Sequence, residues 1–143
     1  MIKEFKILTT EEKVLLLKAP VIVSVLTLSS FKEITKAQKD SAVKLAHMKT
    51  FTEHYLLAPY YEEVDKNFKK ELEQYAAYFF PFDSMRNIAI KKEMDKVNSV
   101  IDKLDNVYAG LLRKSLAGFA RHVNHAAHSV FQDLIFPVAF SKL

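Results

Sequence analysis

Val21-Ile22-Val23-Ser24-Val25-Leu26-Thr27-Leu28 is the stretch on which the reading of the fold turns. Taken alone it passes for a strand, because branched side chains suit a pleated, half-buried surface. A strand needs a partner, however, and no second run of this kind occurs in the chain. Apolar residues elsewhere recur at steps of three and four, the period of a helix with one buried face. The stretch is therefore expected to be helical, and the fold all-α. Just upstream, Thr9-Thr10-Glu11-Glu12 has the spacing of a capping box, and Val14 to Leu17 follow as the first apolar turn. Pro20 lacks an amide donor and crowds the preceding turn, so the first helix is expected to kink or restart there.

Working outward, Ser29 to Ile34 reads as a turn. Thr35 with Gln38 then caps a helix that runs to about Met48, with Ala42, Leu45 and Ala46 inward. Thr50-Phe51-Thr52-Glu53 offers a further cap for a short helical piece ending before Pro59. Tyr61, Val64, Phe68, Leu72, Tyr75 and Phe79 form a seam on a long helix that Pro59 opens and Pro81 ends. Asp83 caps a helix with Ile90, Met94, Val97, Ile101 and Leu104 on one side. Asn106 is expected to cap the last helix, with Tyr108, Leu112, Leu116, Phe119, Val123, Ala126 and Val130 inward and Pro137 as its stop. The expectation is a single helical domain over residues 1–143: an antiparallel bundle of about five principal helices joined by short connections.

Composition agrees with that class. The 143 residues hold only two glycines, too few for the turns of an all-β fold, and no cysteine, which excludes disulfides and thiolate chemistry. Lys and Arg number 21 against 17 Asp and Glu, but the excess is not gathered into an arginine-rich or aromatic-basic groove, which argues against nucleic acid. Residues 31–50 carry five lysines against two carboxylates, whereas 51–82 carry three lysines against six carboxylates. The acidic segment is thus expected to lie beside a basic one, within the chain or across a dimer. The first eight residues alternate apolar and charged side chains and do not form a secretory signal; Val14–Leu28 is too short for a transmembrane span. A cytoplasmic protein is the expectation.

Five histidines are the candidates for metal chemistry. His122, His125 and His128 repeat every three residues, and His47 stands seven before His54. On a continuous helix His122 lies about 100° from the Val123 seam, with His125 and His128 close to the solvent side. Neighbouring members of the trio could share zinc or iron, with His47 as a further ligand. No Asp or Glu stands three before any of them, as a carboxylate–histidine bundle site would require, so no cofactor is expected and the metal reading remains the alternative. Gly110 and Gly118 sit inside a helix, where they are read as points of close helix–helix approach. Ser115 and Ser129 lie on helices without an obvious base, and no catalytic residue is assigned. Two apolar segments stand where polar residues are usual: Phe79-Phe80-Pro81-Phe82 between helices, and Phe136-Pro137-Val138-Ala139-Phe140 near the end.

Leu15-Leu16-Leu17 through Leu28, the turn, Ile34-Thr35 and the helix bearing Ala42, Leu45 and Ala46 together resemble the opening helix pair of TerB-like proteins, over residues 11–48. The resemblance implies a compact all-α domain of the kind linked to tellurite resistance and stress responses. That family's acidic Asp-Gly turn is replaced here by Ser29-Ser30-Phe31-Lys32-Glu33-Ile34, where Glu33 is the one carboxylate, so its metal-binding role is not carried over.

The expected function is a non-catalytic one: contact with a protein partner or with a second copy in a homo-oligomer, with Phe79, Phe80, Phe82, Phe136 and Phe140 as anchors. The alternative is a metal-binding module or metal-dependent enzyme built on the histidines. Peripheral association with an anionic membrane surface through the basic segments 31–50 and 106–121 is a third reading.

Overall fold

The computed structural model describes residues 2–135, with side chains as far as Ala126. Among these residues there are six α-helices and no strand: α1 (Thr10–Leu17), α2 (Ala19–Thr27), α3 (Lys36–Thr52), α4 (Ala58–Phe79), α5 (Ser84–Ile101) and α6 (Asn106–Ile135). Single 3₁₀ turns occupy Lys3–Phe5, Leu28–Ser30 and Tyr55–Leu57. The fold is all-α.

The ambiguous stretch is helical because of where it sits. Every residue from Ala19 to Val25 is buried, and α2 packs against α4, α5 and α6 at once. A segment apolar on all sides must be enclosed on all sides, and a helix meets that demand with its backbone bonds closed internally. Its one polar member, Ser24, donates from Oγ to the Pro20 carbonyl at 2.7 Å. Around Pro20 the chain forms two helices instead of one kinked helix. The break falls at Lys18, and the axes on either side differ by 44°. Pro20 lies in the first turn of α2, where a missing amide costs no intrahelical bond.

Local chemistry sets most helix starts. Thr9 with Glu12, and Thr35 with Gln38, form reciprocal capping boxes, and Asp83 accepts from the Arg86 amide at 2.8 Å. Three expectations are corrected. Thr50-Phe51-Thr52 opens no new helix, because α3 continues through it to Thr52 and Glu53 ends it. The cap of α6 is Asp105, whose carboxylate accepts from Val107 and Tyr108 at 3.1 Å each, one residue before Asn106. Neither glycine marks a close approach among the described residues: a Cβ on Gly110 would meet nothing within 4 Å, and one on Gly118 would meet only Arg121 Nη2 at 3.6 Å.

The most extensive helix pair is α3 with α4. Lys39 reaches Glu73 at 3.3 Å and His47 reaches Asp65 at 2.8 Å, so the two run antiparallel and the acidic segment lies beside the basic one within the chain. Tyr61 meets Ser115, and Phe68 meets Phe119, so α6 runs along α4 in the same sense. The buried side chains form a contiguous core from Ile2 to Val123.

No single described helix is long and apolar enough to cross a membrane. Thr10–Leu17 and Ala19–Ser30 reach the required length and apolarity only as a bent pair.

Candidate functional site

The segment Phe79-Phe80-Pro81-Phe82 ends α4 and leads into α5. Phe79 is only 5% exposed and stacks among Tyr75, Tyr78 and Phe82, with ring centroids 5.5, 4.8 and 6.4 Å away. It therefore serves the core, and its role as a contact anchor is corrected. Phe80 and Phe82 meet edge to face at 4.5 Å, half-buried against the core with one side outward. Arg86 holds the turn by donating from Nη1 to the Pro81 carbonyl at 2.9 Å, while Asp83 caps the next helix. Phe136 and Phe140 lie outside the described residues.

Around this braced turn stand side chains that the sequence reading passed over. Tyr78 is 68% exposed, Met85 80% and Ile88 56%. A hollow of about 500 Å³ lies between Ala77 and Tyr78 on α4 and Met85, Arg86 and Ala89 on α5. A second hollow of about 560 Å³ on the other side of the turn is floored by Ile34, Ala76 and Phe80 and rimmed by Lys39 and Glu73. A signal for Met85 and Ile88 did exist. At 100° per residue, Ile88 lies about 160° from Ile90, so α5 carries an apolar pair on the face opposite its buried seam.

The histidines stand on α6, on α3 and just after α3. His122 and His125 are exposed on α6, and the side chain of His128 lies outside the described ones. His47 pairs through Nδ1 with Asp65, while His54 uses Nδ1 to accept from the Leu56 amide at 3.1 Å and stacks on Tyr55. Among the described residues no three His, Asp or Glu side chains converge as the ligands of an ion would. Near His47 and His54 the end of α3 and the 3₁₀ turn after it expose a second apolar group, with Phe51 at 77% and Tyr55 at 76%.

Ser115 does have a carboxylate beside it, which sequence spacing could not reveal. Its Oγ donates to Glu53 Oε2 at 2.9 Å and shares a 2.6 Å bond with the Tyr61 hydroxyl. Lys49 donates to the same Glu53 oxygen at 2.8 Å. With the serine proton directed to the carboxylate, Tyr61 is the donor to Ser115, and the chain of bonds ends on the Lys49–Glu53 pair. Burial pushes the Glu53 carboxyl up, but its bonds from Lys49 and Ser115 outweigh this and hold it below the usual carboxylate range. Burial also pushes the Tyr61 phenol well above its ordinary value. Ser115 is 5% exposed, so the network ties α3, α4 and α6 together and presents no accessible nucleophile. Compared with protein-family models, with curated proteins and with solved structures, the chain matches none.

Proposed function

We propose that this chain is a non-catalytic helical-bundle protein of the cytoplasm that works by contact, self-associating through the surface around the Phe80-Pro81-Phe82 turn. The reading takes residues 1–143 as one domain whose successive long helices run antiparallel. The observation that carries it is the exposure of Tyr78, Met85 and Ile88 beside two half-covered phenylalanines on a turn held by Arg86 and Asp83. Isolated apolar residues on a surface are ordinary, but adjoining ones on a braced scaffold are the composition of an interface, where aromatic residues and methionine are enriched. The opposite charges of α3 and α4 meet inside the chain, as in the Lys39–Glu73 pair. The TerB-like resemblance of residues 11–48 bears on the helical class and brings no metal site to this reading.

Sedimentation equilibrium over a wide concentration range tests it. The natural chain is expected to form a dimer, and Met85→Lys with Ile88→Lys should weaken that dimer by at least tenfold while leaving the helical spectrum unchanged. A chain that stays monomeric throughout would overturn the reading.

A further inference from the structure

A groove of about 380 Å³ lies on another face, between α5 and α6. Both helices pack on α2 far more than on each other, so α2 becomes the floor of a trough. Val23 and Leu26 line the floor, Met94 and Ile101 one wall, and Leu116 and Ala120 the other. The small side chains of Ala117 and Ala120 leave the trough open where larger ones would fill it. Its volume is in the range of small-ligand sites, roughly 300–1,000 Å³.

Polar groups gather at one end. Arg113 Nη2 donates to Asp102 Oδ1 at 2.5 Å and to the Asn98 carbonyl at 3.3 Å. Its Nε and Nη1 have no protein acceptor among the described residues. Asp102 is 72% exposed, so this ion pair is one that water and salt weaken and an incoming anion can displace. From Arg113 to Ala120 the α6 wall spans seven residues, about 10 Å at the helical rise. A guanidinium with unspent donors thus stands at the head of a short apolar trough.

We propose that the groove binds a single-chain amphiphile with an anionic head, a medium-chain alkyl carboxylate, with the head on Arg113 and the chain laid over Leu26, Met94 and Leu116. The charge at one end and its absence along the rest select this class: the carboxylate takes the place of Asp102 on Nη2 and gains a second, parallel donor from the same guanidinium edge, and the alkyl chain removes apolar wall from water. Met94, half-buried and unbranched, adapts to the chain. The proposal is independent of self-association, since none of these residues belongs to the Tyr78–Met85–Ile88 patch.

Decanoate below its micelle concentration is the probe, with decanol as its uncharged counterpart, measured by calorimetry and by chemical-shift mapping on the whole chain. Decanoate is expected to bind saturably and to shift Val23, Leu26, Met94 and Leu116. Ala117→Trp, at an exposed position, should weaken binding by at least tenfold. Arg113→Gln should weaken decanoate about tenfold and leave decanol unchanged. Shift mapping on the natural chain decides the matter even if a variant folds poorly. No saturable binding, shifts confined to other residues, or equal losses of decanoate and decanol in Arg113→Gln would overturn the proposal. So would groove shifts that follow protein concentration without ligand, which would assign the trough to a second copy.

Discussion

The two ends of α4 hold similar residues and meet opposite fates. At its start Tyr60 and Tyr61 are fully buried, and each hydroxyl has a partner: Tyr60 donates to the Leu16 carbonyl at 2.6 Å, and Tyr61 bonds Ser115. At its end Tyr78 points outward, and Phe80 and Phe82 are covered on one side only. The helix itself does not make this difference. The first end lies under the Lys3–Phe5 turn, α1 and α6, with Phe5 edge-on to Tyr60 at 6.1 Å. The second end is flanked by the start of α3, where Lys39 meets Glu73, and by α5, where Tyr75 donates to Glu93 at 3.1 Å, and these neighbours leave Tyr78 68% exposed. Burial of an aromatic residue is thus decided by what the chain places over it, and a polar tip is admitted only where a partner waits.

The sharpest way to break this contrast is truncation at each end. Tyr60→Ala should cost about 3–5 kcal/mol, as for other large buried aromatic residues, whereas Tyr78→Ala should stay within about 0.5 kcal/mol. Denaturant midpoints measure both, and similar costs would show that the two ends are packed alike. Next in size is Glu53→Gln, which leaves the Lys49 ammonium without its counter-charge and should cost about 1–3 kcal/mol.

The same variant carries a pH signature. Glu53 is held below the usual carboxylate range in the fold, so its contribution is complete above the unfolded value and is lost as pH falls through the depressed one. Glu53→Gln should therefore flatten the acid side of the stability profile. Part of the slope should remain, because Glu12, paired with Lys103 and bonded to the Thr9 amide, is lowered in the same direction. An unchanged profile would mean that the network carries no charge at neutral pH.

A finer comparison uses the tyrosines of the buried end. Tyr61→Phe removes a satisfied hydroxyl and should cost about 1 kcal/mol. Tyr108 is equally buried, but its hydroxyl has no partner among the described residues, so Tyr108→Phe should be neutral or stabilising by up to about 1 kcal/mol. A marked loss in Tyr108→Phe would reveal a bound water or a partner for that hydroxyl. The smallest expected effect is Met85→Ser, which should change stability by less than about 0.5 kcal/mol and act on self-association alone.

Particular residues show where the sequence was legible. The capping boxes at Thr9 and Thr35 and the Asp83 cap could be read directly, because each depends on residues three apart on one chain segment. The seams from Val64 to Phe79 and from Ile90 to Ile101 were equally plain, since a helical period projects them onto one face, whereas Leu104 lies in the turn after α5. Phe79 was misplaced as an anchor because its seam position and its place in an aromatic run argue for different sides, and only packing chooses between them. The Ser115–Glu53 bond spans 62 residues, and nothing local to either one announces it. The Arg113 groove is of the same kind, a consequence of two helices resting on a third.

By itself, then, the sequence determined the helical class, the caps at Thr9, Thr35 and Asp83 and most of the inward faces, because these follow from short-range hydrogen bonding and from a repeat that every turn of helix must obey. The tertiary structure alone decided that α2 lies at the centre, that Tyr61 is sealed while Tyr78 is not, and that an arginine stands at the head of an apolar trough. Those outcomes depend on which surfaces meet, and side chains distant in the chain become neighbours only when burial of the apolar faces brings their helices together.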